Sequence, residues 1–344
     1  MIKLNTHSLL LTITILHHTT TTIHCLQIPF LNENTKSKVK AAVLIPGFLT
    51  GADEFKPLCD ELTERGIPTV SIPMPNWHWL PCLGGRSARP ILERIDFTVK
   101  HLIANDGDIN KIPKFEYSLG DLWYDFQNNP GGIYKVGGSD KVDQYPVIEP
   151  RGGFILPDDE VLNEKRDNKV ALIGHSAGGW ISRVYLSNEE YGGRAYKGQD
   201  YVHSLVTLGT PHATAPGPAF ESIKWCNQEP NSKLNIKSLA VGGTGFEGGD
   251  TWGALTSGAY QFCCPNGSDG SMYEGDGITP LFSSLALPNA ERLVLPNVTH
   301  FCWGDVFGGD FVAPELTKDY RDGRDWYGSK DALNAWVPWL LKHF

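Results

Sequence analysis

Short apolar runs along the chain predict the strands of a buried parallel sheet. The first run extends from Val39 to Pro46 and ends at a Pro-Gly pair, which is typical of a central strand buried on both faces. Five later runs of similar length predict further strands, at Thr69 to Ile72, Lys169 to Gly174, His203 to Leu208, Ile236 to Val241 and Arg292 to Leu295.

Between these runs, apolar residues recur at spacings of three and four, which predicts amphipathic helices. Such stripes begin at Phe55, at Ile91, with Pro90 tolerated in the first turn, and just after Ser176. A last helix is predicted over Asp331 to Phe344, where Pro338 is expected to interrupt and kink it. Strands that alternate with helices predict a doubly wound α/β domain, a mostly parallel sheet with helices on both faces.

The chain has 344 residues, and we expect one domain over residues 33–344. Residues 104–168 show little periodicity and contain two Gly-Gly pairs. Loops of that length inside a compact domain are usually functional, so this insertion is expected to form a lid or a wall of the substrate site. A surface excursion packed on the core explains it equally well.

Residues 1–32 have the composition of a targeting leader, with an apolar stretch, a Thr-rich tract and no acidic residue before Glu33. The apolar stretch, Leu9 to Leu16, is shorter than the roughly 20 residues that span a bilayer. A plastid leader and a secretory signal both fit. A glycan on the sequon at Asn297 would crowd the nearby His300, which favours the plastid.

Charge and cysteine usage narrow the choice of partners. The net charge of -9 is scattered and no Lys/Arg run occurs, so nucleic acid is not an expected partner. The seven cysteines lack paired CxxC spacing, so no zinc site is predicted. A bridge from Cys226 to Cys263 or Cys264 is permitted, and so are free thiols. No metal or organic cofactor is implied.

Residues 174–178 read Gly-His-Ser-Ala-Gly, the G-x-S-x-G pattern of a nucleophile elbow. The pattern alone is weak, because it arises by chance in about one chain in ten of this length. Its position between a predicted strand and a predicted helix is what the elbow requires. We therefore predict Ser176 as a catalytic nucleophile.

A serine hydroxyl needs a base, and the base needs an acid that fixes its tautomer. In chain order, the acid and then the histidine follow the serine. His300 comes directly after the last predicted strand and is the predicted base. The other histidines are placed less well: His343 in a helix, His212 before the acid and His203 in a strand.

For the acid we predict Asp276, in the glycine-flanked turn 275–280. Asp250 and Asp269 are rivals. A simple Asx turn would also explain an Asp before Gly.

Two backbone amides are predicted to form the oxyanion hole, those of Ala177 and of Phe48 in the loop after the first strand. Trp77, Trp79 and Trp252 are predicted to line an acyl pocket, although core packing explains them as well. Any contact with a membrane would come through such loops, because no basic amphipathic helix is apparent.

Four segments together resemble a known family: ValAlaLeuIleGlyHisSerAlaGlyGlyTrp at 170–180, LeuGlyThrProHis at 208–212, GlyAspGlyIleThrPro at 275–280 and AspTrpTyrGlySer at 325–329. They look like the lipase-like α/β-hydrolases of plants, algae and cyanobacteria, which are grouped near the inositol deacylases. The resemblance covers residues 39–344. It implies the α/β-hydrolase fold and assigns Ser176, Asp276 and His300 as the triad.

The sequence thus predicts a serine esterase or lipase that hydrolyses a carboxylic ester, an acyl lipid in particular, through an acyl-enzyme. Two other functions remain open: an acyltransferase that uses the same triad, and a non-catalytic binding protein of this fold. The expected partner is a small-molecule or lipid ester, with peripheral membrane contact as an option. The oligomeric state is left open.

Overall fold

The computed structural model describes residues 39–76, 79, 88–114, 155–191, 194–217, 220–249, 253–301 and 325–344. The predicted leader and most of the insertion, residues 115–154, lie outside these ranges. The described residues include no helix with the length and apolar character needed to cross a membrane.

Ten strands occur in the described residues: β1 Ala42–Ile45, β2 Thr69–Ser71, β3 Val170–His175, β4 Val202–Leu208, β5 Lys237–Gly243, β6 Phe246–Glu247, β7 Glu274–Gly275, β8 Glu291–Leu295, β9 Val298–Thr299 and β10 Asp325–Trp326. Six of them form the central sheet in the order β2-β1-β3-β4-β5-β8, and all of its pairs are parallel. These are the six predicted strands, with bounds that differ by at most three residues.

The described α-helices are α1 Lys56–Glu64, α2 Arg89–Ala104, α3 Asp159–Glu164, α4 Ala177–Leu186, α5 Glu221–Asn227, α6 Gly253–Phe262, α7 Leu281–Ser284 and α8 Lys330–Leu341. Four were predicted: α1, α2, α4 and α8. Helix α3 lies inside the predicted insertion, and its Leu162 is buried in the core. This end of the insertion is therefore packed on the domain.

Helices cover both faces of the sheet. Successive residues of a strand point to opposite sides, so each strand contributes to both helical layers. Val43 and Ile45 of β1 pack with α2 and α4, whereas Ala42 and Leu44 pack with α1 and α8. The buried parallel strands and the two helical layers confirm the predicted doubly wound α/β class.

Helix α8 runs through Pro338, so the predicted interruption there is wrong. Proline leaves the carbonyl oxygen four residues earlier without its helical donor. That residue is Asn334, which is exposed, as is Pro338. Water can therefore bind the freed carbonyl group, while Trp336, Val337 and other residues on the opposite side of the helix stay buried.

The order of the strands reverses beside β1, which makes a topological switch point. The chain moves outward from β1 to β2, then returns to the other side of β1 to form β3. Ligands of doubly wound sheets bind at such a switch point, beyond the carboxyl ends of the strands. Ser176 follows β3 directly, and Phe48 lies in the loop after β1.

Candidate active site

Ser176 occupies a sharp turn between β3 and α4, with φ 50° and ψ -123°. L-residues rarely adopt this conformation, which costs on the order of 1–3 kcal/mol. The flanking glycines let the turn close: a Cβ atom on Gly174 would lie 2.5 Å from the Cα atom of Gly179. A Cβ atom on Gly178 would overlap the carbonyl oxygen of Ile45. Strand, turn and helix therefore form the elbow that the motif predicts.

His300 follows β9 and is completely buried. Its Nδ1 atom lies 2.8 Å from Oδ2 of Asp276, and its backbone N–H donates to the Asp276 carbonyl oxygen at 2.9 Å. Because a carboxylate accepts, Nδ1 carries a proton, and in the neutral form of the ring Nε2 then presents a lone pair. Within the described part of the chain, Nε2 makes no hydrogen bond. It is the nitrogen that a base would use.

His175 connects the elbow to the segment that carries His300. Its Nε2 atom lies 2.7 Å from the backbone carbonyl oxygen of His300, and the two rings are 4.9 Å apart. Complete burial, with a smaller effect from His300, lowers the pKa of His175 to about 3. The His175 imidazole is therefore neutral, and its Nε2–H donates to that carbonyl oxygen. His175, which precedes the predicted nucleophile, is thus hydrogen-bonded to the backbone of the predicted base.

The carboxylate of Asp276 uses its two oxygens differently. Oδ1 accepts from the backbone N–H groups of Ile278, at 3.0 Å, and Thr279, at 2.7 Å, which forms an Asx-type turn. Oδ2 accepts from His300 and from the hydroxyl group of Tyr327, at 2.7 Å. The turn and the contact with histidine therefore coexist on one side chain.

Of the two rival acids, Asp269 makes a different hydrogen bond, to its own turn and not to His300. Its exposed side chain begins a short 3-10 helix, Gly270–Met272, and accepts from the Ser271 backbone N–H at 3.0 Å. Asp250 lies outside the described residues. The structure brings together Asp276 and His300 beside the turn that holds Ser176; their catalytic roles stay predictions.

The two predicted oxyanion donors lie on segments that meet at the elbow. Ala177 is the first residue of α4, and the N–H groups in a first helical turn have no acceptor within the helix. A Cβ atom on Gly47 would lie 2.9 Å from Cβ of Ser176, so the loop after β1 contacts the elbow. Phe48, the next residue, is 40% exposed. The use of its amide stays a prediction.

Trp79, a predicted pocket residue, is 2% exposed and donates its indole N–H to the Thr50 carbonyl oxygen at 2.9 Å. Its ring centroid lies 5.5 Å from that of Phe48 in an edge-on arrangement. Trp79 thus supports the loop after β1 from within the core, and a contact with substrate stays a prediction. Trp77 and Trp252 lie outside the described residues.

Three aromatic side chains form a row that begins in the first turn of α4 and that the sequence did not predict. The rings of Trp180 and Phe220 are 6.5 Å apart, and those of Phe220 and Phe262 are 6.2 Å apart. Trp180 lies in the first turn of α4, four residues after Ser176. Phe262, at the other end, is 62% exposed. Their distances along the chain hid this row.

Other buried groups in the described chain serve packing. His212 lies between Arg183, at 3.4 Å, and Thr207, at 3.1 Å, and burial holds its pKa well below the usual value. The cysteines that the structure describes, namely Cys59, Cys226, Cys263 and Cys264, are free and buried. No group of three or more His, Cys, Asp or Glu side chains in the described ranges is placed to hold a metal ion.

Residues 159–237 match a family described as the PGAP1-like alpha/beta domain. The matched segment contains Ser176 and the LeuGlyThrProHis motif and ends before Asp276 and His300. A comparison with curated protein sequences finds no match. The narrower resemblance, to plant, algal and cyanobacterial lipase-like proteins near the inositol deacylases, stays a prediction.

Three solved structures illustrate the likeness to known proteins. Lipase B of Aspergillus fumigatus is 9% identical, with a TM-score of 0.32, and the match covers 60% of this chain but 37% of that one. The monoacylglycerol lipase of Paleococcus ferrophilus is 12% identical over 90% of this chain and 97% of that one, with a TM-score of 0.34. The esterase Est2 of Thermogutta terrifontis is 10% identical over 84% and 81%, also at 0.34. The fold class itself is given by the six-stranded parallel sheet between two helical layers.

Proposed function

We propose that this protein is a serine hydrolase that cleaves a carboxylic ester, with Ser176 as nucleophile, His300 as base and Asp276 as the acid. The observation that carries the proposal is the 2.8 Å hydrogen bond from His300 Nδ1 to Asp276, which leaves Nε2 of the neutral ring to act as a base; this ring lies 4.9 Å from that of His175, the residue before Ser176. A catalytic serine needs such a neighbour, because its hydroxyl group is a weak nucleophile until a base removes the proton.

In the first half of the reaction, Oγ of Ser176 bonds to the ester carbonyl carbon while its proton moves to Nε2 of His300. Asp276 stabilises the imidazolium ion through Nδ1. The amides of Phe48 and Ala177 donate to the oxyanion, and each such donor is worth roughly 3 kcal/mol. When the intermediate collapses, the alcohol leaves with the proton from Nε2, and an acyl-enzyme remains.

In the second half, water attacks the acyl-enzyme and gives its proton to Nε2. Collapse of the second intermediate returns that proton to Ser176 and releases the acid. An alcohol in place of water would make the same machinery an acyltransferase. Product analysis in the presence of a lipid alcohol separates the two: free fatty acid marks hydrolysis, and a newly acylated alcohol marks transfer.

The proposed substrate is an acyl ester with an apolar chain, and the row of Trp180, Phe220 and Phe262 supports this choice. The row leads from the first turn of α4 to an exposed ring and offers an apolar path for a chain attached at Ser176. Each CH₂ group that leaves water contributes about 0.8 kcal/mol. Several carbons along these rings would favour long acyl groups over acetyl groups.

A fluorophosphonate probe tests the nucleophile, because it bonds covalently to an activated serine. The wild type should be labelled, and Ser176→Ala should lose both labelling and hydrolysis of a short p-nitrophenyl ester. Ser182→Ala is the matched control: its hydroxyl group lies in the same helix and donates to the Gly178 carbonyl oxygen at 2.7 Å. Undiminished labelling of Ser176→Ala would reject the assignment.

Phe262→Ser tests the acyl path. We expect its kcat/KM to fall roughly tenfold for a long-chain ester and to stay unchanged for the acetate, since about 1.4 kcal/mol of apolar contact is lost. Phe282→Ser is the control, because that exposed ring contacts the ring of Tyr273 in a tilted arrangement at 4.8 Å, outside the row. Equal losses on both esters, or from both variants, would remove the row from the proposal.

A further inference from the structure

Tyr327 contacts the proposed acid at the same oxygen as His300. Its hydroxyl group lies 2.7 Å from Asp276 Oδ2, and His300 Nδ1 lies 2.8 Å from that atom. The other oxygen of the carboxylate is held by two backbone N–H groups. The hydroxyl group therefore competes for the one oxygen through which the acid acts on the base.

The direction of this hydrogen bond is fixed by a third group. The backbone N–H of Gly243 donates to the Tyr327 hydroxyl oxygen at 2.8 Å. An N–H group can only donate, so the hydroxyl proton is left for Asp276. Complete burial, followed by the nearby carboxylate, raises the pKa of Tyr327 well above the usual value. The hydroxyl group thus remains a donor over the whole working range of pH.

Tyr327 directly follows β10, and His300 directly follows β9, the strand with which β10 pairs. In the parallel pair β9 and β10, Asp325 lies opposite Val298 and Trp326 opposite Thr299. The next residues in register are Tyr327 and His300. Gly209 leaves space for the contact between Tyr327 and Asp276, because a Cβ atom there would lie 2.6 Å from Asp276 Oδ2 and 2.8 Å from the Tyr327 ring.

We propose that Tyr327 is a positioning residue of this active site, which acts through Asp276: it holds Oδ2 toward His300 and takes up part of the carboxylate charge. The inference rests on the proposed function. A carboxylate that accepts a second strong hydrogen bond attracts the imidazolium proton less. Tyr327 thus keeps His300 oriented while limiting how strongly the base retains a proton.

Tyr327→Phe removes the hydroxyl group and keeps the ring. We expect kcat/KM to fall roughly tenfold, because the carboxylate is less well held. The acid limb of the pH profile of kcat/KM should move up by roughly half a pH unit, because the unshared carboxylate charge stabilises the imidazolium ion more. Loss of a purely structural bond would lower stability without moving that limb.

Tyr260→Phe is the matched control. This buried tyrosine grips the same turn, since its hydroxyl group accepts from the Gly277 N–H and donates to the Phe246 carbonyl oxygen, both at 2.9 Å. Both of these hydrogen bonds join the hydroxyl group to backbone groups and not to Asp276, so Tyr260→Phe should leave the acid limb in place. An unmoved limb in Tyr327→Phe would overturn the proposal, and so would an equal shift in both variants.

A readout that needs no turnover separates this proposal from the proposed function. The ¹⁵N NMR titration of His300 should show the same upward shift in Tyr327→Phe, whether or not the enzyme cleaves esters. Wild-type protein without fluorophosphonate labelling would count against the function alone. If Tyr327→Phe does not fold, 3-fluorotyrosine at this position, a stronger donor, should shift the titration downward; an unchanged midpoint would overturn the proposal.

Discussion

The side chain of His175 donates to the backbone carbonyl oxygen of His300 at 2.7 Å, so the residue next to the proposed nucleophile holds the proposed base. The His175 ring also packs on the rings of Phe55, at 5.1 Å, and Phe301, at 5.7 Å. Motion of His300 relative to the elbow would have to break the hydrogen bond from this packed ring.

His175→Phe should lower both stability and activity. It keeps an aromatic ring but leaves the His300 carbonyl group buried without its donor, which costs about 1–3 kcal/mol. We expect a lower urea midpoint and a kcat/KM reduced roughly tenfold as His300 loses its fixed place. His175→Gln, which retains an N–H donor, should recover part of both; equal behaviour of the two variants would show that the hydrogen bond has no such role.

Asp276→Asn should lower kcat by about 10³- to 10⁴-fold. The amide oxygen would keep the two backbone donors, so the NH₂ group would face Nδ1 of His300 and favour the tautomer with a proton on Nε2. That tautomer cannot take the serine proton. Steady-state kinetics check this, with Asp269→Asn as control, because the exposed Asp269 only caps a turn. A larger loss in the control would reassign the acid.

Acid should destabilise the fold through buried histidines. Burial lowers the pKa of His175 to about 3 and, together with His343 and Lys169, that of His203 to about 4. Unfolded histidines titrate near 6.5, so between about pH 6.5 and 4 the unfolded chain binds protons that the folded chain does not. Stability is therefore full above that window and falls as the pH falls, by up to about 1.4 kcal/mol per pH unit for each histidine.

The unfolding free energy of His203→Phe checks this slope. This position lies in β4 against the ring of Phe344, at 4.9 Å, away from the proposed site. Urea titrations from pH 7.5 to 4.5 should show a shallower decline than in the wild type, by about one proton. Parallel declines would mean that His203 titrates alike in both states.

Two glycine substitutions should have opposite effects. Gly178→Ala places a methyl group on the carbonyl oxygen of Ile45 and should destabilise the fold by roughly 3 kcal/mol. Gly258→Ala, within α6, meets nothing within 4 Å and should stabilise it by about 0.5–1 kcal/mol, since alanine loses less backbone entropy. Thermal unfolding of both variants measures the difference. A tolerated Gly178→Ala would mean that β1 and α4 can separate.

The sheet and the elbow follow from local pattern. Six apolar runs became the six strands of the sheet, and the four inner strands are almost wholly buried, which requires mainly apolar residues. The turn at Ser176 was also predictable, since its two glycines are required by contacts with Gly179 and Ile45 that any strand-turn-helix elbow makes. The prediction that the helix is interrupted at Pro338 was wrong, because the carbonyl group of Asn334 that proline frees is exposed to water and the helix continues.

The sequence by itself determined the class of fold and the elbow, because both depend on residues that are close together in the chain. It also predicted the proposed serine, acid and histidine by their order along the chain. Tertiary structure decided that His300 pairs with Asp276, 24 residues away, and that Tyr327, 51 residues from Asp276, shares the same oxygen. It also placed His175 against the His300 backbone. Such contacts depend on how β9 pairs with β10 and on which loops meet at the sheet edge, and one chain's spacing carries no information about either.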